Sequence, residues 1–237
     1  MSLEYDYIIA GGGSAGCVLA SRLANKSKDS ICLVEAGGSG KNLFIKMPAG
    51  NGFIFGNPKF DWGYHSVKQA QLNNRKIYFA RGKGLGGTSI VNGMVYIRGV
   101  AQDYDNWRQM GLDGWGYSDL LPYFKYSEGS TNRQNKFHGN QGPLKVEPAR
   151  NFSVLDEAFI KAAVETGHEF LDDFNANKRA GVSRIDSTTY RGVRQSSAIS
   201  YLKKVPKNLK IFTNTRVVKI LFNKNKAVGI QTPALLL

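Results

Sequence analysis

Two cysteines, three histidines and no long apolar run: these scarcities set the first limits on this 237-residue chain. Cys17 and Cys32 fit no Cys-x-x-Cys metal or redox spacing, and each lies in an apolar run, so both read as buried structural thiols. His65, His138 and His168 have no serine, cysteine or carboxylate partner at a spacing that signals catalysis. Each therefore reads as a surface or structural histidine. No stretch approaches the roughly 20 apolar residues of a membrane span. The N-terminus, MSLEYDYIIAGGG, lacks the basic and apolar regions of a secretory signal. A reducing cytoplasm is the expected location, with no transmembrane segment.

Negative charge is scarce as well. Eighteen acidic residues face 32 basic ones, a formal net charge of +14. Such a surplus raises a nucleic-acid partner or peripheral association with an anionic membrane. The lysines are dispersed, however, and their densest stretch, NKNKAVG (223–229), reads as a hairpin turn. Zinc-finger spacing and RNP-type aromatic signatures are lacking, so no nucleic-acid partner is expected. With 42% hydrophobic and 21% charged residues the chain has the make-up of a globular protein of one or two domains.

Glycine, by contrast, is plentiful, and it is clustered. The segment YDYIIA (5–10) reads as a buried strand and runs into Gly11-x-Gly13-x-x-Gly16. A helical pattern follows, CVLASRLAN, with Ala15, Val18, Leu19 and Leu23 on its apolar face, then a second buried strand, ICLVE (31–35). This is a βαβ unit. Gly11 lets the chain turn tightly, Gly13 lets backbone approach a pyrophosphate, and Gly16 lets helix and strand pack closely. The helix N-terminus offers unsatisfied N–H groups to phosphate. Glu35, at the end of the second strand, is placed to accept hydrogen bonds from a ribose and argues against NADP. These residues predict a dinucleotide site and leave FAD and NAD both open.

A second cluster, ARGKGLGGTSIVNG (80–93), holds five glycines. It is not a phosphate-binding Walker loop, because Gly87 stands where that motif needs lysine before Thr88. Framed by KIYFA and SIVNGMVYIRG, it reads as a second surface for close backbone approach to a ligand.

In RGKGLGGTSIVNGMVYIRG (81–99) the sequence resembles the first signature of the glucose–methanol–choline (GMC) oxidoreductases, FAD enzymes that oxidise alcohols. The resemblance continues through IIAGGGSAGCVLASRL, LVEAGG, DWGY (61–64), DYDNW (103–107), GWGYSDLLPYFKYSE, FHGNQGPLKV and GVRQSSAISYL. These segments cover essentially the whole chain, with a choline-dehydrogenase-like flavour. The resemblance implies an α/β, Rossmann-like FAD-binding domain over 1–150 and 191–237, with 151–190 beginning a substrate-side domain. It implies FAD contacts from Gly11, Gly13, Ser14, Ala15, Gly16, Glu35 and Ala36 in the first half. In the second loop it implies contacts from Arg81, Gly86, Gly87, Thr88, Ser89 and Asn92, with the backbone of Gly93, Met94 and Val95 beside the flavin ring. Val217 or Val218, with Val218 preferred, is implied at the adenine. Val91 stands where covalently flavinylated members carry histidine, so the flavin is expected to be non-covalent.

The implied reaction is oxidation of a primary alcohol, choline or another, by hydride transfer to flavin N5, with oxygen or a respiratory acceptor receiving the electrons. The family's catalytic histidine, paired with histidine or asparagine near the C-terminus, has no counterpart here. Gln231 also joins directly to Thr232, where the family carries further sequence. The alternative expectation is therefore a flavin-binding fragment without turnover.

Three further readings concern the second half. SVLDEAFIKAAVETG (153–167) predicts a helix capped by Ser153 with Asp156 three residues on, stopped by Gly167, its stripe of Leu155, Phe159, Ile160 and Ala163 in the core. NLKIFTNTRVVKILFNKNKAVGIQ reads as a β-meander. Trp62, Trp107 and Trp115 read as packing residues, with Trp62 a candidate to border the cofactor.

Overall fold

The computed structural model describes residues 3–150, 152–178 and 180–233. In chain order it opens with β1 (Tyr7–Ala10), α1 (Ser14–Lys26), β2 (Ile31–Val34), α2 (Leu43–Lys46), α3 (Asn51–Ile54), β3 (Tyr64–His65) and β4 (Tyr78–Phe79). There follow β5 (Val95–Tyr96), α4 (Ala101–Gln109), α5 (Tyr117–Ser127), β6 (Glu128–Ser130), β7 (Leu144–Pro148), α6 (Val154–Glu165), β8 (Asp186–Ser187) and β9 (Thr189–Tyr190). The chain closes with β10 (Val193–Arg194), α7 (Ser197–Tyr201), β11 (Leu209–Phe212), β12 (Lys219–Asn223) and β13 (Lys226–Gln231). It divides into two compact units, one of residues 1–93 with 192–237 and one of residues 94–191. Residues 94–150, grouped with the cofactor-side domain in the sequence reading, thus cluster with 151–191.

The first unit is built on a parallel sheet of order β1-β2-β11, with Ile8 opposite Cys32 and Lys210 opposite Cys32 on the other side. The βαβ unit forms as the sequence predicts. Every residue of β2 is buried because the central strand of a parallel sheet is covered on both faces. Alternation along the strand sorts those faces. Ile31 and Leu33 join Ile9, Ala20, Ala24, Leu85 and Leu209 on one side; Cys32 and Val34 meet Ile230 on the other.

Two expectations are corrected here. The buried face of α1 is Cys17, Ala20, Ser21 and Ala24, while Leu19 and Ala15 are exposed and Leu23 is partly buried. Small side chains win because the glycine turn draws the helix close to the sheet, leaving no room for a row of leucines. Nor is the C-terminal stretch a meander. β11 enters the parallel sheet beside β2, and only β12 and β13 form an antiparallel pair, with a register shift between Leu221 and Phe222.

The second unit holds a four-stranded sheet of order β5-β8-β7-β6, in which β6 and β7 run parallel and the other pairs antiparallel. Its helix α6 starts as predicted. Ser153 Oγ accepts from Asp156 N–H, and the Asp156 carboxylate accepts from Ser153 N–H at 2.7 Å, a reciprocal cap. Gly167, at φ +94°, follows the helix end. The stripe is a correction: Leu155 is 77% and Phe159 70% exposed, Ile160 and Ala163 are half-buried, and no residue of the helix is buried. Amphipathic spacing identified the helix but not what covers it. No helix among the described residues is long and apolar enough to cross a membrane.

Candidate functional site

The site grows from the end of β1. Gly11, at φ +103°, turns the chain off the strand, and its N–H donates to Val34 O at 2.8 Å. The chain then enters α1, whose N-cap is Gly13 and whose first turn carries no acidic side chain. A Cβ at Gly16 would collide with the carbonyl oxygen of Gly11, so only glycine allows helix and turn to approach this closely. Glu35 is buried just past β2, its two carboxylate oxygens accepting from Gly12 N–H at 2.8 Å and Gly37 N–H at 2.7 Å. The acidic residue expected to meet a ribose is thus also the clasp that ties the glycine turn to the end of β2.

The second glycine loop lies directly on the first. Gly86 N–H donates to Gly12 O at 2.8 Å, and a Cβ on Gly87 would sit 2.7 Å from Gly13 Cα. Leu85 N–H donates to Gly38 O at 2.9 Å, beside a bridge between Gly38 and Gly84. Backbone therefore packs on backbone between three segments. Much of the glycine content of 80–93 answers to this loop-on-loop contact, a cause that the sequence reading did not weigh.

Between these elements opens a cleft of about 330 Å³, lined by Gly11, Gly13, Glu35, Ala36 and Gly87 from the expected set. Trp62, Gly82, Thr215, Arg216 and Val217 complete much of the wall. Ser14, Ala15 and Gly16 form the first turn of α1, with Ser14 Oγ 3.5 Å from Gly86 O. Arg81 is exposed, its guanidinium turned to the carbonyl of Ala80. Thr88 is exposed in a short 3₁₀ turn, and Ser89 Oγ donates to Gly86 O and accepts from Ser197 N–H. Asn92 accepts from Arg194 at both its backbone oxygen (2.6 Å) and Oδ1 (2.9 Å). Gly93 is exposed and ends the first unit. Met94 and Val95 belong to the second, where Met94 O accepts from Thr188 N–H and Val95 pairs with Ser187. Val217 lines the cleft; Val218 is 55% exposed with its N–H on Gln231 O. Val91 is buried among Ile45, Ile54, Phe60 and Ile90.

Two residues with structural weight, Asp61 and Arg194, carry no role in the sequence analysis, and Trp62, the candidate to border the cofactor, lines the cleft. Asp61, in the DWGY segment, is buried and accepts from the N–H groups of Gly56, Gly63 and Arg81 and from the Tyr78 hydroxyl. Burial raises its pKa, but these donors outweigh burial and bring it down to about 2. Trp62 follows directly and donates its backbone N–H to Arg81 O at 2.9 Å. Arg194 is wholly buried; besides Asn92 it donates to Ile45 O (2.9 Å) and Asn51 Oδ1 (2.6 Å), and burial lowers its pKa to about 10. The signal for Arg194 was present in GVRQSS, but burial of a cation is invisible in a local sequence.

None of the three histidines lines the cleft. His65 and His168 are exposed. His138, in the second unit, is wholly buried between Glu128 Oε1 at 2.7 Å and Asp173 Oδ2 at 2.8 Å, and Arg98 pairs with the same Glu128 at 2.7 Å. Burial lowers the His138 pKa, yet its hydrogen bonds and charges with Asp173 and Glu128 raise it overall to about 9. It is a structural imidazolium, with carboxylate partners too distant in sequence to be seen there. Cys17 and Cys32 are free and buried, and burial pushes both thiols up to about 11. Among the described residues no cluster of His, Cys, Asp or Glu could hold a metal ion.

Comparison with known proteins gives this geometry a context. Residues 5–235 match the family described as GMC oxidoreductase. An oxygen-dependent choline dehydrogenase of Sinorhizobium fredii is 40% identical over 234 residues, 97% of this chain and 42% of the relative. Its counterpart in Pectobacterium carotovorum is 43% identical over 235 residues, again 42% of its length. Pyridoxine 4-oxidase from Mesorbium loti superposes with a TM-score of 0.91 at 33% identity, covering 97% of this chain and 46% of that one. A formate oxidase, at 24% identity and a TM-score of 0.88, shares the fold. The chain spans less than half the length of these relatives.

Proposed function

The chain belongs to the GMC oxidoreductase family, and on that premise we propose that its first unit binds FAD, non-covalently, as the cofactor-holding part of an enzyme that oxidises a primary alcohol to an aldehyde. The observation that carries the reading is the cleft at the end of β1 and β2, walled by two interlocked glycine loops and the α1 N-terminus. Gly11 and Gly13 line it, and a Cβ placed on either would meet nothing within 4 Å, so there is open space beside their backbone. The volume suits one half of a dinucleotide rather than a whole one. Its donor set, backbone N–H at a helix start, matches diphosphate.

When bound, FAD supplies the acceptor for the hydride that leaves the alcohol carbon. The chain's own residues bind and orient. The first turn of α1 directs N–H groups at the diphosphate, Glu35 keeps the turn closed, and Val217 presents backbone at the adenine end. Val91, buried in an apolar cluster, offers no side chain for a covalent link. Choline and other small primary alcohols are the substrate class, by similarity to the choline dehydrogenases.

A second reading has its own support. No histidine lines the cleft, and general-base assistance typically supplies about 10²- to 10⁴-fold in rate. On this reading the 237 residues hold flavin, and the base that turnover needs is not among the side chains of this cleft. The visible spectrum of the purified protein, before and after anaerobic addition of choline or simple primary alcohols, tests both. A flavin spectrum that bleaches supports the oxidoreductase. A stable flavin spectrum across a panel of alcohols supports the binding unit. A colourless protein that takes up no added FAD overturns both.

A further inference from the structure

The cleft carries a feature that the glycine loops do not explain. Its lining residues include two charged side chains, Glu35 and Arg216. Glu35 is occupied with backbone N–H groups on both oxygens. Arg216 is exposed, pairs with no carboxylate among the described residues, and lies 5.8 Å from the centre of the Trp62 ring. Trp62 is itself firmly placed. Asp61 before it is anchored by three backbone N–H groups, Trp62 N–H is bonded to Arg81 O, and Tyr64 stacks parallel to the Trp62 ring at 5.9 Å. The other cation over that ring, Lys83, is 5.3 Å from its centre but directs its ammonium to Pro58 O at 3.3 Å.

Resting on the cofactor reading above, we propose that Arg216 is the anion-holding side chain of this cleft: Trp62 holds its guanidinium beside the cleft, where it pairs with the diphosphate of the dinucleotide. The chemistry is apt. A guanidinium on an aromatic face keeps its edge donors free for a planar, two-point contact with phosphate oxygens. The first turn of α1 holds no acidic residue to oppose the ligand's charge. Helix dipole and Arg216 then act on one anion.

Titration of FAD, ADP and adenosine into wild-type protein and into Arg216→Ala, Arg216→Lys and Trp62→Leu tests this, read by intrinsic tryptophan fluorescence and by calorimetry. Arg216→Ala should weaken FAD and ADP about 10- to 100-fold, as expected for loss of a charge-assisted hydrogen bond, while leaving adenosine unchanged. Arg216→Lys should recover part of the loss, and Trp62→Leu should weaken ADP more than adenosine. Binding of FAD and ADP within about two-fold of wild type in Arg216→Ala overturns the assignment. So does an equal loss for adenosine, which would place Arg216 on the base. A wild-type protein that binds ADP but not FAD, with the Arg216 dependence intact, overturns the FAD reading and leaves the diphosphate contact standing; one that binds neither overturns both. Since Arg216 is exposed, its replacement should leave the melting temperature of the ligand-free protein unchanged.

Discussion

At the scale of single residues, this chain relies on a few buried charges held by partners from other segments of the fold. His138 is raised from 6.5 to about 9, so the folded state binds its proton more tightly than the unfolded state. Its contribution is therefore complete below pH 6.5 and drains away as pH rises through 9. We expect wild-type thermal stability to fall across that window and His138→Gln to flatten the fall. The same substitution, measured at pH 6 by urea unfolding, should cost about 3 kcal/mol, because Glu128 and Asp173 lose the cation between them. Asp61 has the opposite sign. With its pKa lowered from 3.8 to about 2, its contribution is present above pH 3.8 and disappears as pH falls through 2. Asp61→Asn should cost about 1.5–3 kcal/mol near neutrality, and should steepen the loss of FAD by freeing the Trp62 segment.

At the scale of elements, the same local pattern had different outcomes according to what it packed against. The Gly11–Gly16 turn had one reading from sequence and kept it, since strand, turn and helix are neighbours along the chain. Gly16→Ala forces a Cβ onto the Gly11 carbonyl and should destabilise the protein by about 1–3 kcal/mol with loss of bound flavin. Gly52→Ala in α3 is the matched control: its Cβ meets nothing within 4 Å, and stability should be unchanged or slightly raised in a thermal melt. Helix α6 shows the converse. Its spacing and caps were legible, but Leu155 and Phe159 of its apolar stripe face solvent. Phe159→Glu should therefore shift the unfolding free energy by less than about 0.5 kcal/mol; a loss of several would mean that the stripe is covered.

At the scale of the whole molecule, the charge of +14 and the two compact units matter most. A cationic chain that holds a dianionic group should do so more weakly as salt rises, through screening of the long-range field. FAD affinity measured between 0.05 and 0.5 M NaCl should fall, and the slope should be smaller in Arg216→Ala than in wild type. The boundary between the units falls within the set of residues expected to contact the cofactor from the second glycine loop. Residues up to Gly93 belong with the first glycine turn, and Met94 and Val95 belong with β8.

Whatever depends on residues close along the chain could be read without coordinates: the βαβ unit, its glycine turn, the Ser153 cap and the family signature around 81–99. Hydrogen bonds there run between near neighbours, so residue types at fixed spacing suffice. Long-range packing settled which small residues face the sheet on α1, that β11 joins β2 in parallel, and that the two glycine loops lie on each other. It alone brought Trp62 beside Arg216, and His138 between Glu128 and Asp173. Those contacts close loops of tens to more than a hundred residues, and no local pattern records which distant groups will meet in the space that remains once the core is filled.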